Sequence, residues 1–253
     1  LDLATGFADG RFDLMGLFAA DAVVLAVAYE PETQAMAVAS IVAHGGRYPS
    51  LGAVHAPALR LERTIRDLHG LTADDSPDIR PWLDHGQWST SRSEAKGPYS
   101  FLPVEGEGLH QIPVGPVHAG IIEPGHFRFT ANGETIARLE QRLGYVHKGV
   151  ERLFEGADLA QGTRLVGRVS GDSTVAYALA FARAAEAATG TEPPPRARWL
   201  RALLAELERI ANHINDFGFV CNDAAYALIH THCGILREEV LQVCDACFGH
   251  RLM

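Results

Sequence analysis

Hydrophobic residues recur along this chain with two different periods. Residues 22–29 and 35–42 are β-rich runs joined by Glu30-Pro31-Glu32-Thr33, which predicts a two-stranded hairpin. Over 57–71 the apolar residues Leu59, Leu61, Ile65 and Leu68 fall at helical spacing with charges between them, so a helix is predicted to pack on that sheet. Residues 127–131 alternate and run into Asn132-Gly133, a strong hairpin signal because both central residues of a type I′ turn need positive φ. Ile136, Leu139, Leu143, Val146 and Val150 fit a helical stripe as well as a strand; the favoured reading is a hairpin that passes into a helix near Gly144.

Further helices are predicted over 157–166 and 174–188, the second rich in Ala and closed by Gly190 and Pro193-Pro194-Pro195. Over 198–217, Leu200, Leu203, Leu207, Ile210, Ile214 and Phe217 form one stripe edged by Glu206, Arg209, His213 and Asp216, and 235–248 reads as another amphipathic helix. Between 85 and 111 the composition shifts to Gly, Ser, Pro and charge without periodicity, which sets a boundary near residue 108. The fold class is α+β: a small scaffold domain of sheet and helix over 1–108, then a mainly α-helical domain with an N-terminal β-hairpin over 109–253.

Composition narrows the partners. At 253 residues with 47% apolar residues, the chain is long enough to bury one large core or two modest ones. A net charge of -9 argues against nucleic acid or an anionic lipid surface as the main partner. The most apolar run, 20–29, is interrupted by Asp21 and falls short of the roughly 18 to 20 residues that span a bilayer. Membrane association is therefore expected only through partner subunits. No basic-then-apolar leader pattern opens the chain, so the cytoplasmic side is the expected location. The four cysteines, Cys221, Cys233, Cys244 and Cys247, crowd into the last part of the chain, which predicts reduced thiols rather than a disulfide framework.

Arg168-Val169-Ser170-Gly171-Asp172-Ser173 has the frame of an Arg-x-Cys-Gly-x-Cys metal motif with Ser170 and Ser173 in place of both thiolates. A thiolate is a soft ligand able to hold nickel or iron, whereas a serine hydroxyl is hard and stays protonated at neutral pH. The alternative role for Ser170, Asp172 and Ser173 is capping of the next helix, worth about 0.5 to 2 kcal/mol. Cys244-x-x-Cys247-x-x-His250 also has metal-motif spacing, but it lies inside a predicted helix after Gln242-Val243, and buried structural thiols are the favoured reading.

Around this hexapeptide five further motifs follow in order: Gly115-Pro116-Val117-His118, Glu123-Pro124-Gly125-His126-Phe127-Arg128, Gly144-Tyr145-Val146-His147-Lys148-Gly149-Val150-Glu151, the run from Glu206 to His213, and Phe248-Gly249-His250-Arg251. The set resembles the large subunit of energy-converting nickel-iron hydrogenases and its relative, the quinone-site subunit of respiratory complex I. Upstream, Arg47-Tyr48-Pro49-Ser50-Leu51, Glu62-Arg63-Thr64-Ile65-Arg66-Asp67-Leu68-His69-Gly70-Leu71 and Pro77-Asp78-Ile79-Arg80-Pro81-Trp82-Leu83 resemble the 30-kDa scaffold subunit of complex I. The two modules are fused in this order in formate-hydrogenlyase-type hydrogenases.

The resemblance implies an oxidoreductase subunit of the NADH:quinone oxidoreductase or formate hydrogenlyase type, inactive as an isolated chain. It implies a loop bearing His118 and His126 that reaches toward a quinone headgroup, and a relay carboxylate at Glu123. It also implies a polar path at His147 and a charged cluster of Arg209, His213 and Asp223 beside the cavity. A cavity lined by His118, Glu123, His126 and Arg168 would favour a redox-coupling site; the same side chains in solvent would favour a docking module without chemistry. From the residues alone, His126 reads equally as a strand-start surface residue, Glu123 as a solvated acid, His147 as a core histidine, and Arg209 and His213 as part of a surface ion-pair row.

No cofactor is expected to be held firmly by this chain: nickel is not expected, quinone is the candidate ligand, and the iron-sulfur cluster belongs to a partner. The implied partners are an iron-sulfur small subunit and membrane-arm subunits. Phe248-Gly249-His250-Arg251 matches a mid-subunit landmark, so the chain is expected to lack the second half of the large-subunit module and to bury apolar surface by self-association or partner binding. An active nickel-iron hydrogenase is the remaining alternative and requires nickel at this elbow.

Overall fold

A computed structural model describes residues 3–85, 88, 99–118 and 122–251, so most of the Gly- and Ser-rich connection over 86–98 lies outside the described residues. The fold is α+β, and the chain divides into two compact units, residues 1–147 and 148–253.

The first unit begins with a short helix α1 (Leu3–Ala8) and an antiparallel sheet in the order β1 (Asp13–Ala20), β2 (Val23–Glu30), β3 (Ala35–Val42). The predicted hairpin is β2–β3. Its neighbour β1 carries an irregularity between Leu14 and Gly16 that breaks the alternation a strand displays in sequence. Strands β4 (Arg47–Pro49) and β5 (Thr72–Asp74) pair in parallel, as a crossover through the intervening helix α2 (Ala58–His69) allows. Leu17, Val24, Tyr48, Ala58, Ile65 and Ala73 form the core between α2 and the sheets.

Helix α2 does not simply turn its charges to water. Glu62, Arg63 and Asp67 are buried, and each is hydrogen-bonded by a neighbouring loop, Asp67 through one carboxylate oxygen only. Glu62 accepts from the Leu51 and Gly52 amides (2.7 and 3.0 Å) and from the Ser50 hydroxyl (2.9 Å). Asp67 accepts from the amides of Trp82, Leu83 and Asp84 (2.8, 2.7 and 3.1 Å). The Arg63 guanidinium donates to the carbonyls of Arg80 and Pro81 (2.7 and 2.9 Å) and to Asp78 (3.1 Å). A buried charge costs several kcal/mol unless it is met this way, so these bonds fix the path of 50–52 and 78–84.

That path joins the scaffold to a second sheet, β6 (Leu109–Val114), β7 (His126–Asn132) and β8 (Thr135–Arg142), antiparallel in that order. Arg80 pairs with buried Glu140 on β8, and Glu140 also accepts the Leu102 amide (3.0 Å). The Asn132-Gly133 hairpin forms, but the two loop residues are Gly133 and Glu134, and of these only Gly133 takes a positive φ (57°). The turn is therefore not the type I′ turn that Asn-Gly predicts. After Arg142 the chain does not pass straight into a helix: 143–149 is loop, and α3 (Val150–Phe154) starts only beyond Gly149.

The second unit continues with α4 (Leu159–Val166), a 3-10 turn at Gly171–Ser173, α5 (Thr174–Thr189), α6 (Pro195–Asp223) and α7 (Ala227–Phe248). Its densest packing is α6 against α7, where Gly218 lets the helices approach: a Cβ there would lie 2.8 Å from the Cβ of Cys233. The stripe predicted on α6 is rotated from the covered side. Leu204, Leu207, Glu208 and Ala211 face the core with Leu241 and Cys244, while Leu203, Ile210 and Phe217 are 48, 46 and 61% exposed. Helices α5 and α7 cover one flank of α6, and no described residue of this unit covers the other.

Asp78 offers a direct check on the scaffold loop. Burial pushes its carboxyl up, but hydrogen bonds from Arg80 and the Arg63 charge outweigh burial and hold it below the ordinary carboxylate value. A carboxyl depressed by folding contributes stability above its unfolded pKa of about 3.9, and that contribution is lost as the pH falls through the lower folded value. Asp78→Asn is expected to lower the unfolding free energy by roughly 1–3 kcal/mol near neutral pH, and urea titrations should show the gap closing below about pH 4.

Candidate functional site

The elbow between α4 and α5 is held by side chains from two distant motifs. Lys148 directs its ammonium at the carbonyls of Arg168 and Val169 (3.3 and 3.2 Å). Buried Glu208 on α6 accepts the amides of Val175 (2.6 Å) and Ala176 (3.1 Å). Asn212, one turn further along α6, donates to the Asp172 carbonyl (2.6 Å). Within the elbow, the buried Thr174 hydroxyl donates to the Gly167 carbonyl (3.2 Å).

Val175 and Ala176 occupy the second and third positions of α5, where backbone donors have no partner inside the helix. A carboxylate there also meets the positive end of the helix dipole. Glu208 therefore supplies the capping that the sequence assigns to Ser170, Asp172 and Ser173: Ser173 is the N-cap residue, and it makes no side-chain capping bond. Lys148, Glu208 and Asn212 all lie inside the ordered motifs, but a helical wheel gives no sign that Glu208 is buried.

The elbow offers oxygen rather than sulfur at the two motif positions. Its two ligand positions carry hydroxyls, and among the described residues no three His, Cys, Asp or Glu side chains come together as a metal-holding group. All four cysteines are free. Cys244 is buried, and burial pushes its thiol up, with Cys247 adding to the shift. Cys247 is exposed rather than buried, so the expectation of two structural thiols holds only for Cys244.

The two loop histidines close their own loop. The ring of His118 donates from Nε2 to the Gly125 carbonyl (2.8 Å), and the His126 Nδ1 lies 3.3 Å from the Gly115 carbonyl. The Gly125 amide donates back to the Pro116 carbonyl (2.9 Å). Gly115 has φ 82°, and a Cβ there would fall 2.3 Å from the Gly125 carbonyl oxygen, so the closure requires glycine. His126 packs on Phe101, and its Nε2 is buried without a hydrogen-bond partner. Glu123 is exposed on the same loop.

His118, Glu123 and His126 belong to the first unit, and Arg168 belongs to the second. His147, in the loop after β8, stacks on Trp88 with ring centroids 5.5 Å apart. On α6, Arg209 pairs with Glu206 (2.9 Å), and Arg209, His213 and Asp223 are all exposed, as a surface row would be.

A cavity of about 780 Å³ lies wholly within the second unit. Lys148, Arg164, Arg168 and Arg201 supply its charge; Val175, Ala178, Leu179 and Ala182 of α5, with Leu204 and Phe248, supply apolar wall. Arg201 is matched by Glu186 at 2.5 and 3.0 Å, and the Arg201 hydrogen bond holds that carboxyl below its ordinary value.

An α+β chain with a pinned elbow ahead of a helical bundle is the class of protein these observations define, and sequence comparison narrows it. No protein-family model matches the chain. It is 30% identical over 233 residues to hydrogenase-4 component G of Escherichia coli (strain K12), covering 84% of this chain and 41% of that protein. It is 30% identical over 223 residues to formate hydrogenlyase subunit 5 of the same strain, covering 81% of this chain and 39% of that one. Against an NADH-quinone oxidoreductase subunit of Dehalococcoides mccartyi (strain CBDB1) it is 33% identical over 140 residues, 55% of this chain and 38% of the relative. The chain spans about two fifths of the length of these curated relatives. It is thus similar in sequence to named components of hydrogenase, formate hydrogenlyase and NADH-quinone oxidoreductase.

If Glu208 rather than the serines secures α5, Glu208→Gln should destabilise the chain by roughly 1–3 kcal/mol, because an amide nitrogen would then face one of the two donors, Val175 or Ala176. Ser170→Ala and Ser173→Ala should each stay within about 0.5 kcal/mol of the parent. Equilibrium urea unfolding measures both.

Proposed function

We propose that this chain is a metal-free subunit of a complex I-like or energy-converting hydrogenase-related oxidoreductase. The observation that carries the reading is the elbow itself. Its backbone is tied down by Lys148, Glu208 and Asn212, while Ser170 and Ser173 stand where a nickel site needs thiolates. In this reading the iron-sulfur cluster sits in a small-subunit partner, and membrane-arm subunits hold the chain peripherally on the inner face of the membrane. The relatives are named as subunits, and no helix among the described residues is long and apolar enough to cross a membrane. Within the assembly, the loop of His118, Glu123 and His126 would form the redox-coupling or quinone-like part of the site.

A docking module without redox chemistry is the second reading, and a specific observation favours it. His118 and His126 spend ring nitrogens on their own loop, and Arg209, His213 and Asp223 lie on an exposed helix face.

Metal analysis of the purified chain, and of its assembly with partners, tests the proposal. Iron with acid-labile sulfide in the assembly, and no stoichiometric nickel in either sample, is expected; one nickel per chain would overturn it. His118→Gln, which keeps an amide donor toward the Gly125 carbonyl, separates the two readings. Loss of quinone reduction by the assembly would favour the coupling site, and unchanged turnover the docking module.

A further inference from the structure

The cavity of the second unit has a composition unlike the rest of the molecule. Over the whole chain, 31 acidic residues outnumber 22 Lys and Arg. In the described lining of this cavity, Lys148, Arg164, Arg168 and Arg201 are accompanied by no carboxylate. Arg201 carries its counterion in Glu186, and Lys148 is turned to two backbone carbonyls. Arg164 directs its Nε at the Ala160 carbonyl (3.3 Å). Among the described residues the Arg168 guanidinium makes no ion pair and no side-chain hydrogen bond. Arg168 is solvent-exposed where it lines the cavity, and a cation there without a protein anion is an electrostatic recognition feature because no neighbouring carboxylate cancels its field.

The room comes from the sequence of α5. Val175, Ala178, Leu179 and Ala182 fall at i, i+3, i+4 and i+7 and so share one helix face, and two of the four are alanines. Gly167 and Gly171 line the cavity next to that face and add no side chain to fill it. The result, about 780 Å³, lies within the range of roughly 300–1,000 Å³ that small-molecule sites occupy. The lining thus combines cations from the end of α4 and the elbow with apolar residues of α5 and α6.

The geometry points to a binding site for a small amphipathic organic anion, with its carboxylate on Arg168 and Arg164 and its apolar body against Ala178, Leu179, Ala182 and Leu204. This site stands apart from the coupling loop of the proposed function, since it uses none of His118, Glu123 or His126. Charge decides the class of ligand: an uncharged molecule of the same shape would leave the Arg168 cation unmatched, and an inorganic anion would leave the apolar wall wet.

Isothermal titration of the full chain with decanoate tests the inference, with decanol and a hexaglutamate peptide as comparators. One saturable decanoate site per chain is expected, weakened roughly tenfold or more in Arg168→Gln, as loss of a charge-assisted hydrogen bond entails. Ala178→Phe should abolish it by filling the cavity, with circular dichroism showing the helical content unchanged. Absence of saturable decanoate binding would overturn the inference, as would decanol binding equally well or affinity unaltered in Arg168→Gln. Hexaglutamate binding as tightly as decanoate would overturn it in favour of an acidic polypeptide partner.

Discussion

The geometry of the second unit depends on one buried carboxylate. Glu208 projects from the middle of α6 onto the two backbone amides at the start of α5, and the elbow that precedes α5 takes its position from that contact. Burying a charge among helices is unfavourable unless its lone pairs are occupied, so the same contact that satisfies Glu208 fixes where α5 begins. Asn212 and Lys148 then secure the carbonyls of the turn. The first unit uses the same device: Glu62 and Asp67 of α2 accept amides from loops 50–52 and 82–84. In both units a helix organises a neighbouring loop through a side chain that binary patterning treats as solvent-facing.

That device explains what is legible in the sequence. The β2–β3 hairpin and helices α2, α4, α5, α6 and α7 follow from periodicity and punctuation, and residues 198–217 and 235–248 fall inside longer helices of the predicted kind. Strand β1 is not legible, because the irregularity at Leu14 and Gly16 interrupts alternation. Periodicity places Glu62, Arg63, Asp67 and Glu208 on polar faces because charged residues are buried only when paired, and their backbone partners lie 10 or more positions away in sequence. The α6 stripe is recognisably apolar, but the side of it that is covered depends on where α5 and α7 dock, which a single helix does not encode. At the candidate site, the ordered motifs locate Lys148, Glu208 and Asn212 without revealing that their shared role is to hold the elbow.

This arrangement separates two roles that a metal site usually combines. In a thiolate-ligated centre the metal itself cross-links the turn to the rest of the bundle. Here three protein side chains make those links, and Ser170 and Ser173 are left with no capping duty that their hydroxyls must fulfil. The turn thus keeps its backbone links through Lys148, Glu208 and Asn212 with serines at positions 170 and 173. The exposed apolar flank of α6, at Leu203, Ile210 and Phe217, fits a chain that works against other protein surface.

Backbone amide hydrogen exchange at Val175 and Ala176, measured on the chain freed of metals, addresses the central claim most directly. If Glu208 holds the elbow, both amides are strongly protected in the metal-free protein and become fast-exchanging in Glu208→Ala while the amides in the middle of α5 remain slow. Rapid exchange at both positions in the unsubstituted chain, with protection appearing only on addition of nickel, would contradict the account.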